Sequence, residues 1–387
     1  MRLFKRNKKD TVAVQTAASG GYGFSSFGLV GRNTASRYER QLYRSLRQEI
    51  PIVDAAIHKI IRLVGGFEVR CTDERTQKQL TDFLEQVRVN GCQRGIRRFL
   101  ENHLDRLITD GTAIGEMVLS ANGRDIAGLY NASLDEVSLA AEDDPFQVTC
   151  YVMQPNGEQV PVAYPDLLII NTLMNDDHQV YGTSVLKGLP AMGDLLRTIW
   201  QTIGSNWQRL GNVRFVVSYK PGENDRGFTK ERASMVAAEW SKAMKSPEPK
   251  DFISVGDVSV KVIGAENQMP DAQIPVRILL EQLLAKLSIP PFLLGLSWSS
   301  TERMSAQQAD ILTSELEYYR DQLGTVLRKV CDCWMKLHGI RCAYCIQWDN
   351  INLQDEVELA RAALYRAQAR QLEASLPTPA AALPLTE

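Results

Sequence analysis

Leu284–Leu312 reads LAKLSIPPFLLGLSWSSTERMSAQQADIL. Within this one stretch a helix ends, a turn forms, a polar loop comes next and a second helix begins. Ile289-Pro290-Pro291 stops the first helix, because proline has no backbone N–H to continue the ladder and disfavours helical dihedrals in the residue before it. Upstream, Ile274, Ile278, Leu279, Leu283 and Leu287 recur at helical spacing and predict a core helix over about Asp271–Ser288. Downstream, Ala309, Leu312, Leu316, Tyr319, Leu323, Val326, Val330, Trp334 and Leu337 alternate at spacings of three and four. They predict a long helix from near Ser305 to Gly339. The loop between, LSWSSTERM, sets Trp298 and Arg303 in a polar run. It reads either as a connector with one stray aromatic or as a surface made to touch nucleic acid.

Working outward on the N-terminal side, Ser184–Leu210 carries an apolar stripe of Val185, Leu189, Met192, Leu196, Ile199, Ile203, Trp207 and Leu210. Ser184 is the expected N-cap, and Pro190 marks either a kink or the true first turn. Between this helix and the one at Asp271 lies a small α/β insert, Val213–Gly264. It comprises a strand VRFVVSYK, a helix from Thr229 to about Met244, and strands DFISV and VSVKVIG. Phe215, Val217, Trp240, Phe252, Val255 and Val260 are its expected core.

Further upstream, helices are expected from about Tyr38, across IPIVDAAIHKIIRLVGG, and over residues 76–89 and 95–109. In the second of these Ile52, Ala55, Ala56, Ile60 and Leu63 form the apolar face. Short strands are expected in AIGEMVLS, DEVSLA, QVTCYVM and DLLIINT. Asn122-Gly123 and Asn156-Gly157 suit tight hairpin turns. After Gly339 come a strand, AYCIQW, a helix over about Asn352–Ala374, and a Pro/Ala-rich tail expected to be disordered.

Composition fixes the broad class. Apolar residues are 44% and charged residues 23% of 387, the balance of an ordinary globular protein. No apolar run reaches the roughly 18 residues that a membrane span needs, and no secretory signal is expected in MRLFKRNKKDTVAVQTAASGGYG, which lacks a strong apolar stretch. Net charge is −2, but residues 1–50 hold ten Lys/Arg against three Asp/Glu, a net of +7, so the rest carries −9. Residues 1–49 are expected as a basic, flexible arm. Such an arm either docks on an acidic partner or DNA, or is simply a solvated N-terminus.

Catalytic constellations are missing from the sequence. The four histidines, His58, His103, His178 and His338, sit in no metal-binding spacing, and no GxSxG elbow, Walker loop or GxGxxG occurs. The one compact set of zinc-type ligands is Cys331, Cys333, His338, Cys342 and Cys345. Cys331 and Cys333 lie two apart on a predicted helix and so point about 200° apart. Seven cysteines without a secretory signal are expected as free thiols. The reading is therefore of a non-enzyme with no cofactor and no metal.

Five stretches in order carry a resemblance: IPIVDAAIHKIIRLVGGFEV, FLENHLDRLITDGTAIGEMVL, GLYNASLDEVSL, AYPDLLIINTLMNDDHQVYGTSVL and the opening stretch with its Ile-Pro-Pro-x-x-Leu-Gly turn. Together, from about Ile50 to Trp348, the chain resembles the portal proteins of tailed double-stranded-DNA bacteriophages, the group of long-tailed siphophages and prophages. The resemblance implies an α+β portal-type fold and a ring of about twelve subunits at one capsid vertex. Residues 50–183 would form a wing and 184–212 a stem helix. Residues 213–264 would be a clip, on which Val213, Phe215, Trp240, Phe252 and Val260 mark the region that docks terminase or adaptor. A second stem helix would span 265–291 and a tunnel loop 292–304, with Ser297, Trp298, Ser299, Ser300, Thr301, Glu302 and Arg303 facing DNA. A long helix and closing strand would cover 305–351, and a short crown helix with a tail 352–387.

The implied partners are further copies of the chain, double-stranded DNA, the terminase large subunit, a head–tail adaptor and the major capsid or scaffold protein, with no membrane. The implied location is the virion's portal vertex, and the host cytoplasm during assembly. Two departures stand out: the chain is short for a portal, and the region before Ile50 has no counterpart in the family's pattern. The alternatives are another phage head protein, such as a minor capsid or adaptor subunit, and a zinc-dependent enzyme.

Overall fold

The structure is a computed structural model. It describes residues 15–16, 37–141, 147–154, 157–174, 180–211, 214–220, 257–263, 272–296 and 302–351, with single helical positions within 230–241 and 364–371. For 208–211, 214–220, 257–263, 302–303 and 305–306 only the backbone is described. The chain divides into two units, residues 1–193 with 280–387, and residues 194–279.

The first unit opens with helices α1 (Arg37–Glu49) and α2 (Pro51–Val64). Pro51 sits in the first turn of α2, where its missing N–H costs nothing. The buried face of α2 is Val53, Ala56, Ile57, Ile60 and Val64. Sequence spacing favours Ile52, Ala55 and Leu63 where the fold buries Val53, Ile57 and Val64. Both sets fit a period near 3.6, and in a helix this apolar the burial depends on what packs against it.

Helix α1 corrects the expectation of a flexible arm over residues 1–49. Three of the arm's ten basic residues are spent on ion pairs within the fold. Arg40 bonds Asp135 at 3.1 Å and the Leu134 carbonyl at 3.0 Å. Arg44 reaches Asp135 at 2.7 Å and Asp110 at 3.3 Å. Arg47 reaches Asp54 at 2.7 Å and Asp105 at 2.8 Å. Asp135 feels burial pushing its pKa up, yet the hydrogen bonds and charges of Arg44 and Arg40 outweigh it and hold the carboxyl below its usual value.

Strand β1 (Phe67–Cys71) leads into α3 (Glu74–Gln86), whose N-cap Asp73 accepts from the Thr76 N–H at 2.8 Å. Short strands β2 (Arg88–Val89) and β3 (Gln93–Arg94) precede α4 (Ile96–Asp110). Helix α4 ends at Gly111 in the left-handed region, φ 77°. A Cβ there would lie 2.5 Å from the Thr183 carbonyl carbon, so the Asp-Gly step is required by both the turn and the close approach.

Strands β4 (Thr112–Leu119), β5 (Ile126–Ala132) and β9 (Leu168–Thr172) then join β2 and β3 in a five-stranded sheet of order β3-β2-β5-β4-β9. All its pairings are antiparallel except β2 with β5. Strands β6 (Val137–Ala141), β7 (Val148–Met153) and β8 (Gln159–Pro161) form a separate three-stranded antiparallel sheet. The expectation of one small sheet is thus refined to two. Ile114, Leu134, Leu139, Cys150, Leu168 and Tyr181 pack between them, and the Tyr181 hydroxyl accepts from the Leu139 N–H at 2.6 Å.

Helix α5 (Leu189–Gly211) starts five residues later than the sequence pattern suggests. Pro190 lies in its first turn, and Gly188, at φ 90°, breaks the chain before it. Ser184 is buried elsewhere: its hydroxyl donates to the Thr109 carbonyl at 2.6 Å and accepts from the Leu186 N–H at 3.0 Å. In the second unit, β10 (Arg214–Lys220) and β11 (Asp257–Ile263) pair antiparallel. Helix α6 (Gln273–Lys286) and helix α7 (Glu302–Leu337) come next, and β12 (Tyr344–Trp348) returns to pair with β1. No helix among the described residues is long and apolar enough to cross a membrane.

Candidate functional site

The Pro-Pro turn between α6 and α7 is built as its residues dictate. Leu283, Leu284, Leu287 and Ile289 are buried at the end of α6. Pro291–Leu294 makes one 3₁₀ turn, and Gly295 closes it at φ 76° with its N–H bonded to the Phe292 carbonyl at 3.1 Å. Ser297, Trp298, Ser299, Ser300 and Thr301 lie outside the described residues.

Glu302 and Arg303 belong to the first turn of α7, not to the loop, and this moves the helix start three residues ahead of Ser305. An acidic residue at that end is favoured by the helix dipole. At 36 residues α7 is about 54 Å long. Its buried face follows the predicted stripe from Ala309 to Trp334 and leaves Leu337 half-buried.

Two polar anchors hold α7 in the first unit, and neither is signalled by sequence pattern. Arg320 is buried on it. Its Nε donates to the Val64 carbonyl at 2.8 Å, and a terminal nitrogen donates to the Asp349 carbonyl at 2.7 Å. The guanidinium also stands 5.4 Å from the Trp348 ring centroid. One side chain therefore ties the last turn of α2, the end of β12 and the middle of α7. Its pKa is lowered by burial, against the pull of Asp349 and Glu317.

The second anchor is a relay from α4. His103 Nε2 meets Asn171 Oδ1 at 3.1 Å, and Asn171 Nδ2 donates to Thr325 Oγ1 at 3.1 Å and to the Gln322 carbonyl at 3.3 Å. Asn171 Oδ1 needs a donor, so His103 carries its proton on Nε2. Burial pushes the His103 pKa down to about 4, and the ring is neutral.

Five residues of the 213–264 insert are expected from the sequence to mark a docking region. Val213, Trp240 and Phe252 lie outside the described residues. Phe215 and Val260 are on the ribbon, Phe215 opposite Val262 and Val260 opposite Val217. On the helices of this unit, Leu195, Trp200 and Trp207 of α5 and Ile274 and Ile278 of α6 are exposed.

Cys71 on β1 lies beside Cys342, whose charge and hydrogen bond, after burial, push its thiol up, but the five ligands singled out in the sequence do not gather at one point. Cys331 is fully buried, and burial pushes its thiol up to about 12. Cys333 is half-buried, Cys345 is exposed on β12, and Cys342 Sγ lies 3.2 Å from Thr72 Oγ1. Among the described residues no three His, Cys, Asp or Glu side chains gather into a cation site.

No protein-family model and no curated protein matches the chain. Solved structures do. A chain of the neck of a native gene transfer agent particle, computed with C12 symmetry, superposes with a TM-score of 0.65. It shares 14% identity over 90% of this chain and 96% of that one. A chain of the virion of the native particle gives 0.62, with 15% identity over 90% and 93%.

The chain shares the fold of the neck component.

A crystal structure of an HK97-family phage portal protein from Corynebacterium diphtheriae also matches, at a TM-score of 0.43 and 14% identity over 87% of this chain and 99% of that one. The mixed α+β architecture is the class expected from the sequence.

Proposed function

We propose that this chain is a portal subunit. About twelve copies close into a ring at one capsid vertex, and double-stranded DNA enters and leaves through the ring. The observation that carries the reading is the shared fold over nine-tenths of the chain with a neck component solved under C12 symmetry. The exposed apolar residues of α5 and α6 add a physical reason for association, since neighbours in a ring would cover them. In this reading 213–264 faces outside the capsid and docks the terminase large subunit during packaging and a head–tail adaptor afterwards. The outer surface meets the major capsid or scaffold protein. The ring is assembled in the host cytoplasm and resides in the virion. The fuel for packaging comes from the separate terminase.

The stretch Ser297–Arg303 is assigned to the channel. Leu296–Tyr319 holds four acids, Glu302, Asp310, Glu315 and Glu317, and one base, Arg303, a net of −3; Arg320, the next residue, is buried in the fold. That balance suits a passage through which DNA slides, because phosphate pairing would grip the backbone in a salt-dependent way. Imaging of the purified protein tests the ring: an axial particle with a central hole is expected, and a solid or open particle would point to a minor capsid or adaptor subunit. The channel is tested by Glu302→Lys. Assembly should persist while DNA movement slows, most at low salt. Packaging and ejection at unchanged rates at low and high salt would remove Glu302 from the channel.

A further inference from the structure

The basic N-terminal segment is the part of the sequence that the portal reading leaves without a role. Two of its residues, Gln15 and Thr16, are described, and both sit against the wing. Their receptor is Glu116, in the middle of β4, the strand flanked on both sides in the five-stranded sheet. Glu116 is 2% exposed and Thr16 is 0% exposed.

The contacts converge on one carboxylate. The Gln15 N–H donates to Glu116 Oε1 at 2.9 Å. The Thr16 N–H donates to Oε2 at 2.9 Å and the Thr16 hydroxyl to the same oxygen at 2.5 Å. Beside them the Gln15 carboxamide reads the Tyr164 backbone of the wing from both sides. Its Oε1 accepts from the Tyr164 N–H at 3.2 Å, and its Nε2 donates to the Tyr164 carbonyl at 3.2 Å.

A carboxylate buried this deeply is costly unless charge-assisted hydrogen bonds or an opposite charge satisfy it. Among the described residues no Lys or Arg pairs with Glu116, and every side-chain hydrogen bond it accepts comes from Gln15 and Thr16. Cys150 nearby offers no relief: burial and the Glu116 charge together push its thiol up to about 12. Among the described residues the slot therefore supplies an acceptor whose donors are two backbone N–H groups and the hydroxyl of Gln15-Thr16.

We propose that Glu116 and the Tyr164 backbone form a peptide-docking site whose occupant is the chain's own Gln15-Thr16, latching the basic N-terminal segment to the wing. Five of the chain's basic residues, Arg2, Lys5, Arg6, Lys8 and Lys9, precede the latch, so it fixes the point from which that charge extends. The inference concerns a single subunit and stands whether or not the ring forms.

Hydrogen–deuterium exchange on the full-length protein tests it. In the wild type the amides of Gln15 and Thr16 should be protected. Glu116→Leu keeps the slot filled but removes both acceptor oxygens, and should speed exchange across 15–16 at least tenfold while α4 and β4 stay protected. Thr16→Val leaves the wing untouched, removes one of the three donors and should give a rise of about threefold to tenfold. Thr16→Val thus keeps the question answerable if Glu116→Leu fails to fold. Unprotected amides in the wild type, or protection unchanged in the variants, would overturn the latch.

Discussion

The first unit, residues 1–193 with 280–387, and the unit at 194–279 are both made from helices and strands, but they differ in how far their cores close. The first unit has a closed core, in which Phe99, Ile57, Leu107 and Ile114 are fully buried and His103, Asn171 and Thr325 are linked by hydrogen bonds, although Tyr164, Met174 and Ile311 stay exposed on its surface. In the other unit Trp207 is 63% exposed, Ile274 62% and Leu195 52%. Isolated exposed apolar residues mean little, but five of them on two helices have a cost in water that association would remove. In the proposed ring, neighbouring subunits would cover these helices of the second unit.

The comparison is most easily broken in the wing. Phe99 packs on Gly115 of β4 and is fully enclosed. Truncation to alanine is expected to cost about 3–5 kcal/mol, measured by urea unfolding. A cost below about 1 kcal/mol would show that the wing core is looser than described.

A pH series gives the next largest effect. His103 titrates at about 4 in the folded chain against 6.5 when unfolded. The unfolded state therefore takes up a proton first as pH falls. The stability this group contributes is fully present above about pH 6.5 and is lost progressively toward pH 4, by about 3 kcal/mol in all. Replacing His103 by Gln should remove this part of the pH dependence. An identical profile in the variant would place the proton uptake elsewhere.

Arg320→Ala leaves the Val64 and Asp349 carbonyls without their donor and should cost about 2–3 kcal/mol, read by the same urea unfolding. Arg320→Lys should restore little of it, since one ammonium does not reproduce a planar fork spanning two carbonyls.

These residues also mark the limit of what sequence pattern encodes. The order of helix, turn and strand is legible because its signals are local: Pro51 at a helix start, Asp110-Gly111 at a helix end, the Pro-Pro-x-x-Leu-Gly turn, and the period of α7. The partners of Arg40, Arg320 and Glu116 are not legible. Each reaches across 90 or more residues of chain, and no spacing rule encodes such a pair. For the same reason the basic charge of residues 37–49 looks like a free arm in the sequence, when Arg40, Arg44 and Arg47 are in fact structural. Of the candidate channel residues, Glu302 and Arg303 read as loop in the sequence. The structure places them in a helix, because nothing in Thr301–Ser305 breaks one.

The smallest effect on the subunit should come from the exposed face. Trp207→Ala is expected to change the unfolding free energy of a subunit by no more than about 0.5 kcal/mol. Its association should nonetheless weaken clearly, seen as a lower fraction of large particles at a given concentration. A large loss of subunit stability would mean that Trp207 is part of a core, and the contrast between the two units would then fail.

The central claim, that these helices belong to a closed ring, is tested most directly by the mass of the native particle. With subunits of 43.3 kDa, about twelve copies give a single species near 520 kDa. Native mass spectrometry of the purified wild-type chain should show that species, dispersing to subunits only under denaturing conditions. A distribution confined to 43.3 kDa monomers at every concentration and salt would contradict the account.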